Sequence, residues 1–91
     1  MSVNDSYSVH CQKRAQVLRL IYTERLGQIE KWHDAKQQVE LPQSPDAWKC
    51  AVLGEEFGEV AKAVVENDKF SLRRELVHVA AVAHAWLEAL E

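Results

Sequence analysis

The sequence predicts an all-α fold: an antiparallel helical bundle of about three helices per chain, with a four-helix core completed by dimerisation. Three observations predict it. Apolar residues recur at spacings of three and four along most of the chain, and no segment sustains strand alternation. Only Leu41-Pro42-Gln43-Ser44-Pro45 and Glu66-Asn67-Asp68-Lys69 punctuate that pattern. The chain has 91 residues, enough for one domain over 1–91. A lone chain of this size buries only about 60–65 % of its unfolded surface, so a partner copy is expected.

The first element is carried by Cys11, Ala15, Leu18, Tyr22, Leu26, Ile29, Trp32 and Ala35. Their period predicts an amphipathic helix from about Val9 to Gln37, about 40 Å long, with residues 1–8 frayed or disordered. Gly27 lies inside it, so a bend, a close contact or a division into two helices is expected there.

For the second helix, Ser44 is the expected N-cap, Pro45 the first helical residue, and Asp46 favourable near the positive end of the dipole. Trp48, Ala51, Val52, Phe57, Val60, Ala63 and Val64 supply its apolar surface. It should end near Asn67, which tolerates a left-handed conformation. Ser71 is the expected N-cap of the third helix. Leu72, Leu76, Val79, Ala80, Ala83, Trp86, Leu87 and Leu90 carry that helix to the C-terminus.

Composition narrows the class. Apolar residues make up 47 %, charged residues 27 %, and glycine and proline are few, which excludes disorder and collagen-like repeats. No apolar run approaches the roughly 20 residues that span a bilayer. Met1-Ser2-Val3-Asn4-Asp5 lacks the basic and apolar regions of a secretory signal. A cytoplasmic protein without a membrane partner is expected. Net charge is −3 and uneven: residues 38–91 hold most of the acids. An acidic half makes nucleic acid a poor partner and a cation a better one. Cys11 and Cys50 lie far apart, without CxxC spacing, and read as reduced, half-buried packing residues; a disulfide is the alternative.

The chemistry-bearing residues cluster on the second and third helices. Glu56 and Glu59 share a helix face, as do Glu75 and His78, because residues three apart lie about 5–6 Å from each other. Antiparallel packing would bring the pairs together around one small volume. Like charges that close resist ionising together, and a divalent cation removes the cost. Glutamates at these spacings are also common on solvated faces. Glu59 has Lys62 three residues on, and Glu55 has Glu59 four residues on. Gly58, disfavoured mid-helix, would permit a close approach there.

Glu55-Glu56-x-x-Glu59 followed after fifteen residues by Glu75-x-x-His78 resembles the EExxE…ExxD pattern of MazG-type all-α nucleoside triphosphate pyrophosphohydrolases. Glu24-Arg25-Leu26-Gly27-Gln28-Ile29-Glu30-Lys31-Trp32 is similar to the ER-x-x-Q-x-x-KW segment of the small, phage-type MazG-like proteins. Glu75 to Ala83 and Ala85 to Leu90 resemble their C-terminal helix. The resemblance runs over about residues 17–90.

It implies a hydrolase of nucleotide metabolism that cleaves a (d)NTP to a (d)NMP and pyrophosphate with Mg²⁺ (or Mn²⁺), as a homodimer or homotetramer. By position, Glu56, Glu59 and Glu75 would be metal ligands and catalytic residues. Glu55 would be a further ligand or would orient the attacking water. One departure stands out, for the family's final Asp is His78 here. Histidine suits Mn²⁺ or Zn²⁺ better than Mg²⁺. His78 would ligate a softer metal, act on phosphate as an imidazolium, or mark a fold that has lost catalysis. That last case is the alternative function: a catalytically weakened MazG-like helical dimer that binds nucleotide or a protein partner. Substrate-binding candidates are Gln28 for a base edge, Trp32 for stacking, and Lys31, Lys36 and Lys62 for phosphates. Core packing is the competing role for Trp32, and an ion pair with Glu66 that for Lys62. His33 stands where the family segment carries glycine. His84, about 240° round the helix from His78, belongs to another face.

Overall fold

The computed structural model describes residues 3–31 and 44–91, with side chains from residue 8 in the first stretch and excluding that of Lys31. They form three helices: α1 over Val3–Lys31, α2 over Asp46–Val65 and α3 over Lys69–Leu90. No strand occurs among the described residues. None of these helices is long and apolar enough to cross a membrane. Trp32, His33, Ala35, Lys36, Gln37 and the Leu41-Pro42-Gln43 break lie outside the described residues.

α1 begins at Val3, six residues before the expected Val9, and runs unbroken through Gly27. A Cβ built on Gly27 meets nothing among the described residues, so no close contact explains that glycine, and α1 is not divided there. α2 starts one residue later than expected. Pro45 is its N-cap, with extended ψ of 144°, and its carbonyl accepts from the Lys49 amide at 3.1 Å. Ser44 stands before the cap and is buried. At the other end Asn67 adopts φ of 54°. The Asp68 amide donates to the Ala63 carbonyl at 2.9 Å and the Asn67 amide to the Val64 carbonyl at 3.1 Å. This is a Schellman closure, which satisfies carbonyls the helix leaves open.

The start of α3 corrects the expectation that Ser71 caps it. Asp68 is the N-cap and accepts from the Ser71 amide at 3.1 Å, while the Ser71 hydroxyl donates to its second oxygen at 2.6 Å. Aspartate wins because its carboxylate reaches the amide three residues on, placing Ser71 inside the first turn.

α3 is the middle rod. α2 packs against it antiparallel, as expected, but α1 runs along it in the same direction, which corrects the expectation of a wholly antiparallel bundle, and α1 and α2 do not pack on each other among the described residues. Val52, Val82 and Ala85 form the core cluster, with Leu53 and Trp86 against it. Val60 and Ala63 on α2 and Ala81 on α3 are also buried. The Trp86 indole donates to Asp46 at 3.2 Å and ties the ends of α2 and α3.

α1 docks differently. Its buried side chains are Arg25 and Gln28, and Arg25 Nη2 donates to Glu88 at 2.7 Å. The expected apolar stripe stays largely open to solvent: Leu18 is 60 % exposed, Tyr22 66 % and Leu26 50 %. α3 covers the Leu20, Ile21, Glu24, Arg25 and Gln28 side instead. Phe57 and Leu87 are likewise exposed. A layer of three rods has a free face on each outer helix, so one chain cannot cover every apolar stripe. Gly58 meets nothing within 4 Å of an added Cβ, so the close approach expected there is not made within the chain. The cysteines are free, Cys11 half-buried and Cys50 exposed rather than half-buried.

Candidate metal centre

Antiparallel packing of α2 and α3 sets the middle of one against the N-terminal half of the other. Glu75 and His78, three residues apart, share a face of α3, and His78 Nδ1 lies 3.1 Å from Glu75 Oε2. The same nitrogen lies 3.5 Å from Glu56 Oε2 on α2. On the far side of the ring, Nε2 lies 3.3 Å from Glu24 Oε1 on α1. All three helices therefore converge on one imidazole. Glu75 is buried, while Glu24, Glu56 and His78 are each about a quarter exposed.

Glu56, Glu75 and His78 each offer a donor atom, and these atoms all lie within 4.8 Å of one another. Three carboxylates around one ring repel each other unless positive charge stands among them. A divalent cation supplies it, and so does a protonated imidazole, the only form of the ring that donates from both nitrogens.

The donor set fits a cation. Nδ1 faces the same space as the Glu56 and Glu75 oxygens, while Nε2 is turned to Glu24. Metal-bound histidines commonly hand their second N–H to a carboxylate, which fixes the tautomer and aims the ring. Two carboxylates with one imidazole nitrogen make a mixed oxygen–nitrogen set, better matched to Mn²⁺ than to Mg²⁺. Glu24 thus joins the site from a helix where only substrate contacts were expected. Its signal in the sequence is faint: one acid four residues before Gln28.

The remaining candidates are distributed as follows. Glu55 and Glu59 are exposed and outside the cluster. Glu59 lines a shallow depression of 100 Å³ with Lys62, Glu66 and Arg74, which reaches Glu75 from the other side. Lys62 forms no ion pair with Glu66 among the described residues. Arg74 Nε stands 3.4 Å from Glu75 Oε1. Gln28 is buried one turn after Glu24, and its Oε1 has no hydrogen-bond partner among the described residues. The Lys31 side chain, Trp32 and Lys36 lie outside the described residues. His84 is on another face, as expected, and meets Glu88 at 3.2 Å.

No family model matches the chain, and neither a curated protein nor a solved structure matches it.

Proposed function

We propose that the chain is a divalent-cation-dependent pyrophosphohydrolase that cleaves a (d)NTP to a (d)NMP and pyrophosphate. The observation that carries this reading is the convergence of Glu56, Glu75 and His78, with Glu24 behind the ring. The resemblance of the Glu55–Glu59 and Glu75–His78 segments to the MazG-like pattern supplies the reaction class. In this reading Glu56, Glu75 and His78 Nδ1 hold the cation, and Glu24 holds the ring in the tautomer that leaves Nδ1 free. Glu59, across Glu75 from the cluster, serves as a further ligand or orients water when substrate is bound. A bound Mn²⁺ or Mg²⁺ supplies charge neutralisation of the phosphates and eases deprotonation of a water for in-line attack.

The test is incubation of the full chain with each (d)NTP and Mn²⁺ or Mg²⁺, following monophosphate and pyrophosphate. Mn²⁺ should support the faster turnover. Glu75→Gln should lower kcat/KM by at least about 100-fold, more than loss of a supporting residue does. Activity untouched by Glu75→Gln and Glu56→Gln together would end the reading.

A second reading has its own observation: carboxylates face both ring nitrogens, so an imidazolium can serve as the site's countercharge. The chain would then bind nucleotide, or a protein partner, without turning nucleotide over. His78→Asp separates the two. Under the hydrolase reading it shifts preference from Mn²⁺ towards Mg²⁺. Under the binding reading it creates turnover that the parent lacks.

A further inference from the structure

Beside the carboxylate–histidine cluster, α1 and α3 enclose a cleft of 540 Å³. Glu24 and His78 both line it, so it adjoins the candidate metal centre on the Glu24 side of the ring. Arg19 lines it from α1, and Arg73 and Arg74 line it from α3. Three guanidinium groups against one carboxylate make this cleft basic in a chain whose net charge is −3.

Arg19 and Arg73 form no ion pair and no hydrogen bond with any described residue. Arg74 has a single long contact with Glu75 and a half-exposed side chain. Thr23, four residues after Arg19, stands on the same face of α1 and adds a hydroxyl to the lining. Arg74 and His78 are likewise four apart on α3, about 6 Å along the axis. A cationic lining therefore begins one helical turn from the candidate cation ligands. Arginine's planar fork matches phosphate oxygens in pairs, and a second charged group on the opposite wall adds specificity.

We propose that this cleft is a polyphosphate subsite, in which Arg19, Arg73 and Arg74 hold the phosphate chain of the ligand. The identification of that ligand as a nucleotide rests on the hydrolase reading; the phosphate chemistry of the cleft does not. Phe70, exposed at the outer end of the lining, offers a ring face on which a base can stack. The cleft shares His78 with the candidate cation site, while Glu56 and Glu75 lie across the ring from it and do not line it.

The experiment titrates the full chain with inorganic tripolyphosphate in EDTA by calorimetry, at low and moderate salt. Saturable binding that weakens with salt is expected. Arg19→Gln with Arg73→Gln should weaken it at least tenfold. Arg14→Gln, which removes one charge from α1 outside the cleft lining, should leave it within twofold. Both arginines are exposed, and circular dichroism checks that the helices persist. A (d)NTP that binds more tightly than tripolyphosphate, with the difference erased by Phe70→Ala, identifies the nucleotide as the source of the phosphates. Equal binding of the two identifies free polyphosphate. Absence of tripolyphosphate binding, or an equal loss in Arg14→Gln, overturns the subsite. A parallel Mn²⁺ titration keeps the two ideas separable. Missing Mn²⁺ binding with an intact tripolyphosphate response sinks the hydrolase reading alone, and the reverse pattern sinks the cleft alone.

Discussion

At the scale of the residue, His78 does most to define this protein. A single ring touches carboxylates from all three helices, at 3.1, 3.3 and 3.5 Å. Its two nitrogens have different neighbours, Glu75 and Glu56 at Nδ1 and Glu24 at Nε2. Under the proposed function Glu24 would be a positioning residue, acting through the imidazole rather than on a cation directly. Glu24→Gln should therefore lower Mn²⁺ affinity by roughly 10–100-fold, the usual cost of losing a group that orients a metal-bound histidine. Calorimetry measures the affinity, and circular dichroism confirms that the fold is retained. Unchanged Mn²⁺ affinity in the variant would remove Glu24 from the site. Glu75 is the other decisive residue. It is buried between the cluster and the depression lined by Glu59, so its carboxylate can serve both.

At the scale of the element, the turn between α2 and α3 sets the register that brings Glu56 opposite Glu75. Asn67 closes α2 in the left-handed region and Asp68 opens α3 one residue later. The Ser71 hydroxyl, followed by the Ser71 amide, holds the Asp68 carboxyl below its ordinary value. The sign follows from linkage. A carboxyl depressed in the folded state contributes stability that is complete above about pH 4 and is lost as pH falls through its folded value. Asp68→Ala should lower the melting temperature by several degrees at pH 7, and the gap to the parent should close on acidification below about pH 4. Thermal melts at pH 7, 5 and 3 measure both effects. A gap independent of pH would mean that the cap acts through packing rather than through its charge.

At the scale of the whole molecule, the governing fact is that α3 lies between α1 and α2. That arrangement lets Glu24 reach His78 from one side and Glu56 from the other. It also leaves the outer faces of α1 and α2 with Leu18, Tyr22, Leu26 and Phe57 exposed. Leu18, Tyr22, Leu26 and Ile29 line a groove of 300 Å³ alongside His84 and Glu88. Apolar stripes on small domains are covered by partner copies, because isolated chains of this size bury too little surface. The expected outcome is a homodimer at micromolar concentration in sedimentation velocity. Leu26→Glu should shift the chain towards monomer by about tenfold or more in dissociation constant, the effect of losing about 1.4 kcal/mol at the contact. A monomeric parent would show that the stripe is left bare.

The helical class, the three elements and the left-handed stop at Asn67 were legible because they depend on local periodicity and local backbone preference. The Glu75–His78 pair was legible for the same reason, since a spacing of three fixes a shared face, whereas Glu59, three residues after Glu56, stands exposed and outside the cluster that Glu56 joins. Glu24 was not, because its role arises only when α1 is laid along α3, and nothing in an amphipathic stripe says which side a neighbour will cover. The buried side of α1 proved to be the one bearing Arg25 and Gln28, while the greasier stripe stayed outside. The cap of α3 fell to Asp68 rather than Ser71 because two good cap residues compete within one turn, and only the path of the chain out of α2 decides between them. Residue order along this chain thus determined its helices and its store of carboxylates. Which of those carboxylates meet was decided by the packing of three rods, since axial offset and rotation depend on contacts between residues distant in sequence.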